Sequence, residues 1–378
     1  MGNTTSLARQ VVGRLRQEVR RRYLEAGEAG WGKPAPGPAR LLGPSASQSF
    51  RVGVIGAGPQ GLAQCQGLQA LRGVEIAGIA DINPARLSTA GGRLGLPAQN
   101  CFEDAAQWLE ETTPLDLLCV ATTAPTHVML GRVGIQTGAK RILLEKPIDV
   151  SLHEARGFVA ECRGAGIPLA VNYSRRWMPD YRAIKRCIGK GVIGAPRSLA
   201  IILGKGELAM HGSHFFDLSR YLLGSEPEWV VAHLEPPTGA NSRGANFEDP
   251  AGFCLFSFQN GARAYFDFSS DLQLKDPFLT IKGTLGRITV DEPRQFWTFQ
   301  SRSQRVWTVP FVEAMKASTL FARVAAELLS DTPPASEGAD GVAALEMILA
   351  AHLSHRRGHQ PVTLPLASGE ADLGLEFP

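Results

Sequence analysis

From residue 51 the chain sets short runs of valine, isoleucine and leucine between stretches whose apolar residues return every three or four positions. "RVGVIG", "VEIAGIAD", "LDLLCVAT", "RILLEKP" and "IPLAVNYS" read as strands. "PQGLAQCQGLQAL", "NPARLSTAGGRLG", "HVMLGRVGIQTG" and "SLHEARGFVAECRGAG" read as the helices between them. Strands with no polar face, separated by helices, predict a parallel sheet covered on both sides, the doubly wound Rossmann arrangement.

Beyond about residue 173 the pattern changes. "RSLAIILG", "EWVVAHLEP", "GFCLFSFQ" and "ARAYFDFSS" follow one another as strands with few helices between them, predicting an open, mostly antiparallel sheet in a second α/β domain. Asn260-Gly261 predicts a tight two-residue hairpin. Helices in "FVEAMKASTLFARVAAELL" and "GADGVAALEMILAAHLSHRRG" close the chain. Residues 1–50 stand apart: Leu7, Val11, Leu15 and Val19, with arginines between, predict a basic amphipathic helix, followed by a Pro/Gly/Ser linker. The opening "MGNTTS" matches a permissive myristoylation pattern at Gly2 and Ser6, read as a chance match. The expected organisation is therefore an extension over 1–50, a dinucleotide-binding domain over 51–172, and a substrate-binding and oligomerisation domain over 173–378.

Composition narrows the classes. A net charge of +3 on 378 residues favours neither nucleic acid nor an anionic membrane as partner. No apolar run reaches the roughly 18 residues of a membrane span. Six scattered cysteines with no C-x-x-C pair predict reduced, buried thiols and a reducing compartment, the cytoplasm.

"GAGPQG" follows the first strand and opens the first helix. Gly56 permits the turn, Gly58 the approach of a pyrophosphate, and Gly61 close helix–strand packing, while the helix N-terminus offers N–H groups to phosphates. Pro59 and Gln60 sit in the helix's first turn, where proline costs no hydrogen bond. Asp81 ends the second strand, where a carboxylate binds ribose hydroxyls and repels a 2′-phosphate. NAD is the expected cofactor, with NADP as the alternative because Arg86 lies close by. Glu145, Lys146 and Pro147 end another strand on the edge where such sheets bind ligands, and a cis bond is expected at Pro147. The Lys146 ammonium can hold a substrate hydroxyl there.

"GAGPQG", "ADINP", "TTAPTH", "LLEKPIDVSLHEA", "RRWMPDY" and "HGSHFFDLSRYLLG" stand in the order used by the Gfo/Idh/MocA oxidoreductases, which residues 51 to about 366 resemble. The resemblance implies hydride transfer to or from a sugar, polyol or nucleotide sugar, with tightly held NAD(P). It implies that Lys146 contacts substrate, that Thr123, Pro125 and His127 line the cofactor's path, and that Arg176 lies near the substrate pocket. His214 matches the family's catalytic histidine and Asp217 the acid after it. The acid usual four residues before that histidine is Met210 here, which can neither accept a proton nor orient an imidazole. His214 is therefore read as the acid/base, with Lys146 as electrostatic partner and His211 as a neighbouring substrate contact.

Other readings use the same residues. His211, His214 and Asp217 drift about 60° round a helix per step, so a metal site is not expected. Adjacent arginines diverge in a strand, so at most one of Arg175 and Arg176 is expected to face the pocket; if one does, the substrate is expected to be an acidic or phosphorylated sugar. A redox-neutral lyase or hydrolase, or a non-catalytic dinucleotide-sensing regulator, is the alternative function. Apolar faces in "FCLFSF" and "AYFDF" predict a homodimer or homotetramer.

Overall fold

The computed structural model describes residues 49–378 except 205, 237–242, 245, 273–276, 303–304, 313–315, 331 and 372. The expected N-terminal helix, most of its linker and the "MGNTTS" pattern lie outside the described residues.

Six parallel strands form the first sheet: β1 (Phe50–Ile55), β2 (Val74–Ala80), β3 (Cys101–Phe102), β4 (Leu117–Val120), β5 (Ile142–Leu144) and β6 (Leu169–Val171). Every residue of β4, β5 and β6 is buried, the property behind their uninterrupted apolar runs. Helices α1 (Pro59–Gln69), α2 (Pro84–Leu94), α3 (Ala105–Glu111), α4 (His127–Gln136) and α5 (Leu152–Gly164) connect the strands. The strand order is β3-β2-β1-β4-β5-β6. Winding reverses between β1 and β4, and a crevice therefore opens above their C-terminal ends.

The second sheet has nine strands among the described residues, in the order β14-β13-β12-β11-β7-β10-β9-β8-β15. The four expected from the sequence are β7 (Pro196–Ile202), β8 (Pro227–Leu234), β9 (Gly252–Phe258) and β10 (Arg263–Asp267). A meander of β11 (Phe278–Gly283), β12 (Arg287–Asp291), β13 (Phe296–Gln300) and β14 (Val306–Pro310) extends it, with the short β15 (Val362–Thr363) at the other edge. Every neighbouring pair is antiparallel except β7–β10. The β9–β10 hairpin forms, but its loop has three residues instead of two: Phe258 N–H donates to Ala262 O, and Gly261 takes φ +76°. That is a turn closed by a glycine bulge.

Helices α6 (Pro179–Gly189), α7 (Ser213–Leu223), α8 (Ala317–Leu329) and α9 (Gly338–Arg356) complete the fold. Helix α8 lies late in the chain yet packs back on α1 of the first layer. Phe321, Val324 and Leu328 share a core with Val52, Val54 and Leu68. Burying each such side chain stabilises the fold by roughly 1.5–3 kcal/mol. A Cβ on Gly67 would stand 2.6 Å from Ser318 O, so the two backbones touch there. Helix α9 packs against β8, α7, α5 and β6. Both ties hold the second sheet over the crevice. Among the described residues no helix is long and apolar enough to cross a membrane.

Candidate active site

The glycine turn shows why each glycine is needed. Gly56 has φ +104°, and a Cβ there would lie 2.4 Å from Ala121 O on the neighbouring strand end. A Cβ on Gly61 would fall 1.8 Å from Gly56 O, whereas one on Gly58 would meet nothing within 4 Å. Gly58 thus faces open space at the N-terminus of α1, whose first turn has no side-chain cap. The orphan N–H groups and dipole of that turn are free to meet a diphosphate. Asp81 completes the cradle: its carboxylate accepts from Ala57 N (2.7 Å) and Asn83 N (2.8 Å), which fixes it at the lip of the turn. The next residue, Ile82, is 92% exposed. These features fit a dinucleotide.

On the other side of the switch point, β5 leads into Glu145, Lys146 and a cis Lys146–Pro147 bond. Glu145 is buried, and its Oε1 accepts from Gln64 Nε2 (2.7 Å) and Asn172 Nδ2 (2.8 Å). Thr123 accepts the Thr126 hydroxyl and amide through its carbonyl, and with Pro125 forms the half-buried turn that enters α4. His127 departs from expectation: it is 1% exposed, and its Nδ1 contacts Pro147 O at 2.7 Å. Burial holds its pKa down at about 4, and a neutral imidazole donates its N–H to that carbonyl. His127 therefore braces the Lys146–Pro147 turn from beneath instead of lining an open path.

The opposite wall explains Met210. Residues Leu208–Gly212 form a π-helical turn before α7, a rare geometry that collects at functional sites. Asp249, on the loop before β9, accepts Ala209 N (2.7 Å) and Met210 N (2.8 Å) with its two carboxylate oxygens. Met210 O accepts the Lys146 ammonium at 2.9 Å. Position 210 thus contributes its backbone N–H and carbonyl, and an acid nearly forty residues away supplies the charge. Burial raises Asp249 to about 6. Lys146 is pushed down by burial, against the pull of Glu145. No spacing in the sequence pointed to Asp249.

His211 and His214 differ in their partners. The His211 ring sits against the carboxylate of Glu207, four residues earlier, and both side chains are about one-third exposed. His214 Nδ1 is buried with no hydrogen-bond partner among the described residues, and its ring meets Tyr173 edge-on at 6.0 Å. Burial, then Lys146, Arg175 and His211, hold its pKa well below that of an ordinary histidine. Gln60, Gln64, Glu145, Asn172 and His214 line one cavity of roughly 100 Å³ between α1, the EKP turn and α7.

One expectation is corrected here. Arg176 does not reach toward a substrate pocket: it is buried, donating to Asp217 (2.7 and 2.9 Å) and Asp340 (2.9 and 3.1 Å). Arg220 donates to the same Asp340 at 3.0 Å, tying α7 to α9. Arg175 makes a two-pronged pair with Glu292 at 2.7 Å and stacks on Phe215. Asp217 is likewise spent on Arg176, so it joins no ligand set with the two histidines.

Comparison with known proteins decides the lineage. A model described as the oxidoreductase family with an NAD-binding Rossmann fold, GFO_IDH_MocA, matches residues 50–173, and the GFO/IDH/MocA C-terminal domain model matches 202–289. The chain belongs to the Gfo/Idh/MocA oxidoreductase family. Its first domain is accordingly an NAD-binding one. This family member is 28% identical over 356 residues to a D-apiose dehydrogenase of Paraburkholderia graminis, covering 85% of this chain and 91% of that protein. It is 26% identical over 325 residues to the myo-inositol 2-dehydrogenase of Thermotoga maritima, covering 81% and 96%. A solved levoglucosan dehydrogenase, in complex with NADH and levoglucosan, superposes with a TM-score of 0.75 at 19% identity, over 84% of this chain and all of that one.

Proposed function

We propose that this Gfo/Idh/MocA member is an NAD-dependent dehydrogenase of a neutral sugar or polyol. The observation that carries the reading is the Lys146 ammonium, anchored on Met210 O beside two imidazoles, with the glycine cradle across the crevice. Bound NAD supplies the hydride acceptor. Asp81 takes the adenosine ribose, Ile82 the adenine edge, and the Gly58 turn with Gln60 the diphosphate. Thr123, Pro125 and Glu145 flank the nicotinamide end. An acid at 81 followed by isoleucine disfavours a 2′-phosphate.

Lys146 holds the hydroxyl oxygen and stabilises the alkoxide charge that grows as hydride leaves. The proton goes to His211. Glu207 stands four residues before His211, as position 210 stands before His214, so the acid–histidine spacing recurs one turn earlier. A carboxylate beside an imidazole stabilises the imidazolium that forms. His214 has no such support; it stays neutral and directs the hydroxyl by a hydrogen bond. Arg175 and Arg176 are both neutralised internally, which removes the reason to expect an acidic or phosphorylated substrate. The D-apiose, myo-inositol and levoglucosan dehydrogenases among its relatives agree with an uncharged polyol.

The test is incubation with NAD and a panel of neutral sugars and polyols, followed by the absorbance of reduced nicotinamide. Turnover that disappears in Lys146→Ala supports the assignment. NAD binding by calorimetry with no turnover of any member, in either direction, refutes it. The outer sheet face carries Phe253 (42% exposed), Tyr265 (36%), Ile202 (37%) and Phe278 (50%). A second copy covers this face in our reading, and a monomer at micromolar concentration by light scattering would exclude it.

A further inference from the structure

Outside the crevice, three histidines from distant parts of the chain converge. His233 lies on β8, His355 in the last turn of α9, and His359 just after it. One ligand nitrogen from each lies within 4.8 Å of the other two, and the ring centroids stand 4.9, 5.3 and 5.9 Å apart.

Two features hold the cluster in place. His359 has φ +66°, a left-handed backbone that side chains other than glycine and asparagine rarely adopt. Its amide donates to Ser354 O (2.9 Å), and its Nδ1 contacts Ala232 O at 3.0 Å. A proton on Nδ1 satisfies that carbonyl and leaves the Nε2 lone pair free, the outer-shell bond typical of a metal-binding histidine. The ring of His233 is held flat against Phe253, with centroids 5.3 Å apart. The adjacent guanidinium groups point elsewhere: Arg356 donates to Leu373 O and Arg357 to Glu370.

We propose that His233, His355 and His359 form a surface site for a late first-row divalent cation, with Zn2+ as the probe, which pins the end of α9 to β8. Three imidazoles without a carboxylate suit zinc, copper or nickel and not magnesium, calcium or manganese. Zn–N bonds of about 2.0–2.1 Å in tetrahedral geometry place nitrogens about 3.4 Å apart, so the rings close by no more than about 1.5 Å. His355 makes the largest adjustment, because its Nδ1 accepts the Leu234 N–H at 3.2 Å and must give up that bond or turn its ring. The fourth position is open to water or another donor. His355 and His359 stand at the H-x3-H spacing of many zinc sites, but His233 lies 122 residues before His355, and only the fold brings it to them.

The experiment is Zn2+ titration of tag-free, chelator-stripped full-length protein by calorimetry, beside His233→Ala, His355→Ala and His359→Asn. Asparagine tolerates the left-handed backbone, so the last variant removes the imidazole without straining the turn. NAD binding and thermal melting report on the fold of each variant. One equivalent of Zn2+, weakened by at least about tenfold in each folded variant, is the expected result. Binding of Cu2+ should show nitrogen hyperfine coupling from imidazole in electron paramagnetic resonance. Stoichiometric binding that survives within about twofold in all three variants, or no binding by the wild type, overturns the proposal.

Discussion

Lys146 and Asp249 are joined through a single residue: the ammonium donates to Met210 O, and the carboxylate accepts Met210 N–H. The two successive peptide units that flank Met210 thus each meet one charged group, and the backbone of this one residue holds both in place. Both of these hydrogen bonds use only the backbone of Met210, not its side chain.

Asp249→Asn keeps the shape but places an amide against two N–H donors. Losing one buried, charge-assisted acceptor costs about 1–3 kcal/mol. The turn carrying His211 loosens with it. The expected outcome is a lower melting temperature and a reduced kcat, with the dissociation constant for NAD unchanged. A variant that keeps wild-type kcat removes Asp249 from the site.

His211→Ala should lower kcat/KM by about a hundredfold or more, the usual contribution of a positioned general base, while Glu207→Gln retains part of the activity. Steady-state kinetics and NAD calorimetry on the same preparations separate chemistry from binding. Should His214→Ala be crippled and His211→Ala active, the proton belongs to His214 instead.

The glycines of the cradle should fail in different ways. Gly58→Val points a side chain into open space, so the protein folds and melts normally but loses NAD binding. Gly61→Val drives its Cβ into Gly56 O and should destabilise the fold itself. Calorimetry with thermal denaturation distinguishes the two defects.

Arg176 pairs with Asp217 and Asp340 in the interior, so removing it leaves buried charge without compensation. Arg176→Met should cost about 3–5 kcal/mol in urea unfolding, and the fraction that stays folded should keep its KM. A raised KM with unchanged stability would return this arginine to the substrate pocket.

His352 is buried, and its Nε2 has no partner among the described residues. Burial, then Arg356 and His355, depress its pKa to about 3. Between that value and the ordinary 6.5, the unfolded chain binds the proton and the folded chain does not, so stability falls as pH falls through this window. From about pH 7 to about pH 5 the loss from this group is about 2 kcal/mol. His352→Phe should lose correspondingly less, measured by urea denaturation at both pH values in the presence of a chelator.

Some of this protein was determined by its sequence alone. Runs such as "LLCV" and "RILLEKP" specify strands buried on both faces, because no polar side chain interrupts them. "GAGPQG" between a strand and a helix specifies a diphosphate cradle, because only glycine fits at 56 and 61. The cis turn at Pro147 and the β9–β10 hairpin are local in the same sense, though the hairpin's loop has three residues and not two. Tertiary structure decided the rest. Asp249 reaches Met210 across a loop, α8 returns to the first layer, Arg176 turns inward to two acids, and three histidines meet where α9 ends against β8. Periodicity and spacing report on neighbours within one element. Contacts between groups tens of residues apart depend on how whole layers are set against each other, and no short stretch of chain carries that relation.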